Sequence, residues 1–335
     1  MHRPERPGKK VTAREIAQRL GVSQSTVSRV LSDAAGYSYS AETRQRILEE
    51  AARMGYRPHA IGRSLRERRT RVVGFMSANG NLDARNAFLA EIIGSLQWAC
   101  CREGLFLLLH NFPPETDPDD IYAELVCGRI DALVVHISPL HPLTSMLSRS
   151  HLPVVAVADV VPGIPTVVCD DRDGMRRAIA HLAEERGHRR IAFIAPREPL
   201  GSACVREETY IEEMERRGLE PLVIHVEYED SAPSLAVMRS MADPPTAVCC
   251  WNDLTALNLM YECRHVGIHV PKDLAVVGFD GLLDPRITPL RLTTVMAYWP
   301  EVSRRAVELL RSLMNGGEAP EVTVMPVGFR VGETT

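Results

Sequence analysis

The residues of this 335-residue chain best suited to recognition chemistry lie near its start. Gln24, Ser25, Thr26, Ser28 and Arg29 crowd one short segment, interrupted only by Val27. Hydroxyls, an amide and a guanidinium are the groups that meet base edges in a major groove and the phosphates beside it. Glutamine suits adenine and arginine suits guanine. A plain solvated helix face has the same make-up, and charge weighs against it. Residues 1–71 carry 16 basic and 7 acidic side chains, a surplus of nine, whereas the rest of the chain is net −13. A basic head on an acidic body is the split expected when one end meets a polyanion.

The elements that would position this set are legible. Val11 to Leu20 reads as a helix whose start is complete: Thr12 caps, Glu15 closes a capping box, and Val11 can staple onto Ile16. Gly21 permits a tight turn. Ser23 then caps a second helix, about 23–32, whose Val27, Val30 and Leu31 fall at helical spacing. The cap residues Thr12 and Ser23 are counted with the DNA-contacting set. A third helix is expected from Ser40 through Ile47, Leu48 and Ala51 to Gly55. Two short helices across a glycine turn make a helix-turn-helix.

These residues carry a family resemblance. The run from Val11 to Ser32, VTAREIAQRLGVSQSTVSRVLS, closely resembles the DNA-binding headpiece of the lactose-repressor (LacI/GalR) family, and Met54 to Leu65, MGYRPHAIGRSL, resembles that family's hinge. The resemblance implies that Ala60 and Leu65 approach a minor groove, with Leu65 wedged between central base pairs. Gly62 stands where the family often has alanine, at a helix-propensity cost of ~1 kcal/mol. Physical reasoning supports the same device. Pro58 can start a helix, but the segment to Arg66 is too short to be stable alone, and a wedge flanked by Arg63 and Arg66 suits minor-groove insertion. A plain interdomain linker is the alternative.

Beyond residue 71 the pattern changes. Apolar runs at Val72–Met76, Leu105–Leu109, Ala132–Ile137, Val154–Val157, Ile191–Ile194, Leu222–Val226, Ala247–Cys250 and Leu274–Phe279 read as buried strands. Helical patterns at Phe88–Cys101, Met175–Glu185, Tyr210–Arg217 and Leu254–His265 lie between them. Alternation of this kind implies a parallel α/β body, and its length implies two lobes with a ligand-binding cleft. The expected fold is therefore α/β with a small all-α N-terminal domain: headpiece 1–57, hinge and linker 58–71, and effector and dimerisation domain 72–335. The body also resembles the family, through CDDRDG at 169–174, GHRRIAFI at 187–194, PTAVCCWND at 245–253, VPKDLAVVGFD at 270–280 and LTTV at 292–295. That resemblance implies a periplasmic-binding-protein-like domain whose lobes exchange strands near 165–170, 295 and 320. Lobe 1 would hold about 72–168 and 296–320, and lobe 2 about 169–295 and 321–335.

Carried over residue by residue, the resemblance places Arg206, Asn252, Asp280 and Trp299 around an effector, chemistry suited to a polyol, sugar or sugar acid. On the residues alone, a surface salt bridge is the better reading of Arg206 and a core aromatic the better reading of Trp299. Four departures surround this site. Thr209 replaces a glycine three residues after Arg206, Gly281 replaces a second carboxylate after Asp280, and Pro289 is followed by Leu-Arg. The aspartate expected at 158 is Ala158, with Asp159 one place on.

Other chemistry finds little footing. There is no Gly-x-Ser-x-Gly, Walker loop, Gly-x-Gly-x-x-Gly or His-Glu-x-x-His, and the 8 cysteines show no CxxC. Cys100-Cys101 and Cys249-Cys250 read as core, His181 and His188 as structural, and Gly267 spoils a shared metal face for His265 and His269. No catalytic residue, metal or cofactor is expected, and no apolar run approaches the roughly 20 residues of a membrane span. The N-terminus shows no secretory signal, so the cytoplasm is the expected location, nucleoid-associated when DNA is bound. The expectation is a transcription regulator, a repressor, that binds a pseudo-palindromic double-stranded operator as a homodimer under control of a small-molecule effector. The alternative is a regulator with a vestigial cleft whose input is a protein partner.

Overall fold

A computed structural model describes residues 11–31, 39–56, 64, 69–78, 82, 86–227, 232–282 and 290–335. The chain divides into two compact units, Met1–Thr70 and Arg71–Thr335. In the first, α1 (Ala13–Leu20), α2 (Gln24–Leu31) and α3 (Ala41–Arg53) bury Ile16, Ala17, Val27, Val30, Ile47 and Ala51 together, with Val11 packed against them. The capping box at α1 is formed: Glu15 N–H donates to Thr12 Oγ1, and Thr12 N–H donates to the Glu15 carboxylate at 2.9 Å. Gly21 ends α1 at φ 67°, a left-handed turn that a side chain would strain. Ser40 caps α3 through Thr43 N–H. Glu50 of α3 bonds Arg53 and, at 3.4 Å, Arg19 of α1, which together hold its carboxyl below the ordinary range.

The second unit contains two six-stranded sheets. The first has the order β11-β5-β4-β3-β1-β2, built from β1 (Val72–Ser77), β2 (Phe106–His110), β3 (Ala132–His136), β4 (Val154–Val157), β5 (Thr166–Cys169) and β11 (Val322–Met325). The second has the order β12-β10-β9-β8-β6-β7, built from β6 (Ile191–Pro196), β7 (Leu222–Val226), β8 (Ala247–Cys250), β9 (Ala275–Asp280), β10 (Thr293–Ala297) and β12 (Val327–Arg330). Among the described residues every pairing is parallel except β10 with β12. Helices cover the sheets: α4 (Ala87–Arg102), α5 (Pro118–Leu125), α6 (Leu143–Leu147), α7 (Asp171–Ala180, continuing as a π-turn over His181–Glu185), α8 (Gly201–Arg216), α9 (Ala232–Ser240), α10 (Asp253–His265) and α11 (Trp299–Met314).

The chain passes between lobes three times, as expected in number. After β5 it enters lobe 2 through α7, after β10 it returns through α11, and between β11 and β12 it crosses at Pro326. The expected boundaries at 295 and 320 need correction. Residues 296–297 complete β10 of the second sheet, and β11 pairs with β5 from Val322↔Thr166 to Met325↔Cys169, so residues 322–325 belong to the first.

Two further expectations fail. The run 105–109 is not a buried strand: β2 is the sheet edge, with Phe106 61 % and Leu109 45 % exposed. Cys101 is exposed, whereas Cys100, Cys249 and Cys250 are core. Position on an edge depends on strand order, which an apolar run does not encode.

Gly174 on α7 shows how tightly lobe 2 closes: a Cβ there would lie 2.7 Å from the Phe279 ring and 2.8 Å from Val295. Gly174→Ala is expected to destabilise the body by ~1–3 kcal/mol through overpacking. Urea denaturation of the full chain measures it, and an unchanged midpoint would mean that this contact is loose.

Candidate nucleic-acid interface and ligand cleft

On α2 the apolar side is occupied by the core, which turns the sequence-predicted set outward. Gln24, Ser25 and Arg29 are exposed, and Thr26 and Ser28 are half-buried. Ser23 Oγ accepts Thr26 N–H at 3.0 Å and lies 2.7 Å from Ser25 Oγ and 2.8 Å from Thr26 Oγ1. Three hydroxyls thus cluster at the start of α2, where free amides and the helix dipole favour a phosphate. Thr12 is exposed at the start of α1. The hinge residues Ala60, Arg63, Leu65 and Arg66 lie outside the described residues.

In the second unit, Arg206, Asn252, Asp280 and Trp299 all line one cavity of about 190 Å³ between the lobes. Lobe 1 contributes Ser77 from the end of β1, Asn86 and Phe88 at the start of α4, His136 from the end of β3, Asp159 after β4, and Trp299. Lobe 2 contributes Leu200, Arg206, Trp251, Asn252, Asp253, Asp280 and Leu282. Strand carboxyl ends meet there, as the parallel architecture requires.

Arg206 is 2 % exposed, which removes the surface-salt-bridge alternative. Its Nε donates to Asp171 Oδ1 at 2.7 Å, Nη1 donates to the Trp251 carbonyl, Nη2 lies 3.6 Å from Asp280 Oδ1, and the guanidinium sits 3.6 Å over the Phe279 ring. Burial pushes the Asp171 and Asp280 carboxyls up, and Arg206 opposes the rise at each. Asp280 is held at φ 110°, backbone that disfavours a side chain and that clusters at binding sites. Asn252 Oδ1 accepts Thr255 N–H at 2.8 Å as the cap of α10. Asp253 accepts Leu282 N–H at 2.9 Å and the Thr294 hydroxyl. Trp299 is 2 % exposed, both core aromatic and cavity wall, and stacks edge-on against Phe88 at 4.9 Å, which in turn meets His136 at 5.1 Å.

The departures resolve differently. Asp159 reaches the cavity although it sits one place late, because Ala158 adopts φ 74° and turns the chain back. Its Oδ1 accepts Ser202 N–H at 2.7 Å, a bond from lobe 1 to the start of α8. Gly281 has φ 74°, and a Cβ there would lie 2.6 Å from the Met296 sulfur, so the lost carboxylate has no room. Thr209 is fully buried, donates to the Val205 carbonyl at 2.7 Å and is not in the cavity wall, contrary to its expected place at the cleft. Pro289 lies outside the described residues. Phe88, His136 and Trp251 carry no sequence signal of their role, because only strand order and loop closure bring them together. His181 bonds Glu185 and Thr335, and His188 bonds Thr246. Among the described residues no trio of His, Cys, Asp or Glu could hold a metal ion, and no helix is long and apolar enough to cross a membrane.

Known proteins share this arrangement. Residues 12–59 match the bacterial regulatory proteins of the lacI family, and residues 179–335 match the periplasmic binding protein-like domain. The transcriptional repressor PurR of Haemophilus influenzae is 30 % identical over 311 residues, covering 89 % of this chain and 90 % of its own. The chain belongs to the lacI family. The repressor CytR of Escherichia coli K12 is 27 % identical, with 91 % of this chain and 90 % of its own covered. The structure of the lac repressor dimer bound to operator and the anti-inducer ONPF superposes with a TM-score of 0.84 at 22 % identity, covering 97 % of this chain and 99 % of that one. Family membership makes this a DNA-binding transcription regulator, and the named relatives are repressors, not enzymes.

Arg206→Met would leave Asp171 and Asp280 buried without their cation. A loss of roughly 3–5 kcal/mol in body stability is expected. A loss under about 1 kcal/mol by urea denaturation would show the guanidinium to be dispensable to the fold.

Proposed function

We propose that this protein represses transcription by binding a pseudo-palindromic operator as a homodimer, with a small polyhydroxylated metabolite in the cleft setting its affinity for DNA. The observation that carries this reading is the buried Asp280, held in strained backbone at the wall of an open interlobe cavity, in a chain that also carries a complete helix-turn-helix. Strain of this kind costs of order 1–3 kcal/mol and persists where a ligand site uses it. A vestigial cleft would have no need of it, so the ligand-controlled reading is preferred to the protein-controlled one.

In this reading α2 enters the major groove with Gln24, Ser25, Thr26, Ser28 and Arg29, while Thr12 and Ser23 meet phosphates. Ala60, Arg63, Leu65 and Arg66 work at the central minor groove, with Leu65 as the wedge. Arg206, Asn252, Asp280 and Trp299 hold the effector. A solved relative, the regulator CelR, binds cellobiose in a structure with a TM-score of 0.73 at 25 % identity. The exposed Phe106, Leu108 and Leu109 on edge strand β2 offer an apolar surface that a second copy would cover. The protein acts in the cytoplasm, on the nucleoid when bound to DNA.

Selection of sites from random duplex DNA with the full chain tests the reading, and a recovered palindrome is the expected result. On that site Arg29→Ala should lose about 1–3 kcal/mol of binding and relax one base position. Leu65→Ala should weaken specific binding much more than nonspecific binding. No palindrome with or without metabolite pools, or equal losses for both kinds of DNA, would overturn the corresponding role.

A further inference from the structure

Among the described residues, the charges around the cleft are not balanced. Asp159, Glu198, Asp253 and Asp280 line the cavity, and the cation among the lining residues, besides the titratable His136, is Arg206. That guanidinium is already engaged by Asp171, by Asp280, by the Trp251 carbonyl and by the Phe279 face. An incoming carboxylate or phosphate would have to displace one of these partners in a site where Arg206 is 2 % exposed. Burial also lowers the pKa of His136, with Asp159 opposing, so the imidazole gives little charge to an anion.

The carboxylates differ in what they still lack. Both oxygens of Asp253 are taken, by Leu282 N–H and by the Thr294 hydroxyl. Asp159 uses Oδ1 on Ser202 N–H, while its Oδ2 is 3.8 Å from His136 Nε2, beyond hydrogen-bond range. Asp280, 7 % exposed, meets Arg206 at 3.6 Å, also longer than a hydrogen bond. Glu198 adds a fourth carboxylate at the exposed rim. A separate observation calls for an acceptor oxygen in the ligand, which a hydroxyl supplies: Trp299, 2 % exposed and part of the wall, has a buried indole N–H without an acceptor. Phe88, Trp251 and Trp299 give the wall an aromatic character that favours a cation.

We propose that the effector is a cationic polyhydroxylated molecule of monosaccharide size, an aminated sugar or close analogue, whose ammonium is held by Asp159 and whose hydroxyls meet Asp280, Asn252 and Trp299. This rests on the reading of the cleft as the effector site, and it turns away the sugar acids that the sequence alone left open. Sugar phosphates are excluded for the same reason.

The test titrates the full chain with matched probes by calorimetry: neutral hexoses and pentoses, their amino-sugar counterparts, and the corresponding uronic acids and sugar phosphates. At least one amino sugar should bind saturably, at least tenfold tighter than its neutral counterpart, with no saturable binding by the anionic members. Asp159→Asn should weaken the amino sugar at least tenfold and the neutral one less than threefold. Should Asp159→Asn unfold, Glu198→Gln at the rim supplies the same comparison with a smaller, still selective loss. An anionic or neutral member binding as tightly as the amine overturns the proposal, as does failure of every amino sugar at about 10 mM, where even a Kd on the order of 1 mM would leave the site about nine-tenths filled. Operator affinity is measured on the same preparation without ligand. Specific DNA binding with no amine response refutes the cationic effector and leaves the regulator standing, and amine binding without specific DNA binding does the reverse.

Discussion

The buried guanidinium of Arg206 is the contact on which the second lobe is organised. It stands on α8 and reaches Asp171 at the start of α7, the Trp251 carbonyl after β8, and Phe279 and Asp280 at the end of β9. One side chain therefore ties α8 to the ends of three other elements that are far apart in sequence. Taking a guanidinium out of water is costly, and the cost is offset only where several partners of good geometry converge. The same convergence fixes the cavity floor. Asp280 stands there at φ 110° with its carboxylate 3.6 Å from Arg206, and Asn252 is fixed from the other side by its cap bond to Thr255.

Lobe 1 meets this floor through a different kind of contact. Asp159 sends its carboxylate across the cleft to the Ser202 amide in the first turn of α8, where the helix dipole favours negative charge. A Cβ on Gly201 would sit 3.1 Å from Asp159 Oδ1, a close approach in keeping with the glycine there. The interlobe bond thus shares its acceptor residue with the ligand site. A ligand group that engages Asp159 acts on the closure of the lobes directly and needs no longer path.

Much of the headpiece was legible because its signals are local. Thr12, Glu15, Gly21 and Ser40 act within four residues of themselves, and each behaves in the structure as its type predicts. The parallel body was legible as alternation, but β5, β10 and β11 were placed only through the family resemblance, and β12 was not placed at all. They span four or five residues each, and β11 alternates exposed and half-buried positions, so no apolar run announces it. The cleft was half legible. Arg206, Asn252, Asp280 and Trp299 do line one cavity, whereas Phe88, His136 and Trp251 were invisible because nothing in their immediate sequence distinguishes a wall from a core. Asp159 was visible as an irregularity, and its correct placement needed the left-handed turn at Ala158, a backbone state that an alanine does not advertise.

The division of the cavity between lobes is what gives a ligand leverage. A ligand shifts an equilibrium only by the difference in its affinity for the two states. Here most of the aromatic wall, Phe88, His136 and Trp299, belongs to lobe 1, while the charge and amide groups other than Asp159 belong chiefly to lobe 2. A molecule that satisfies both sets binds the closed lobes better than the open ones, since opening forfeits one set entirely. β1 begins at Val72, immediately after the first compact unit ends and Arg71 is passed, and it ends at Ser77 in the cavity wall. A coupling of ~1–3 kcal/mol, which changes DNA affinity roughly 5–150-fold, requires no more than one or two hydrogen bonds gained on closure. Asp159 and Asp280 between them still lack that many.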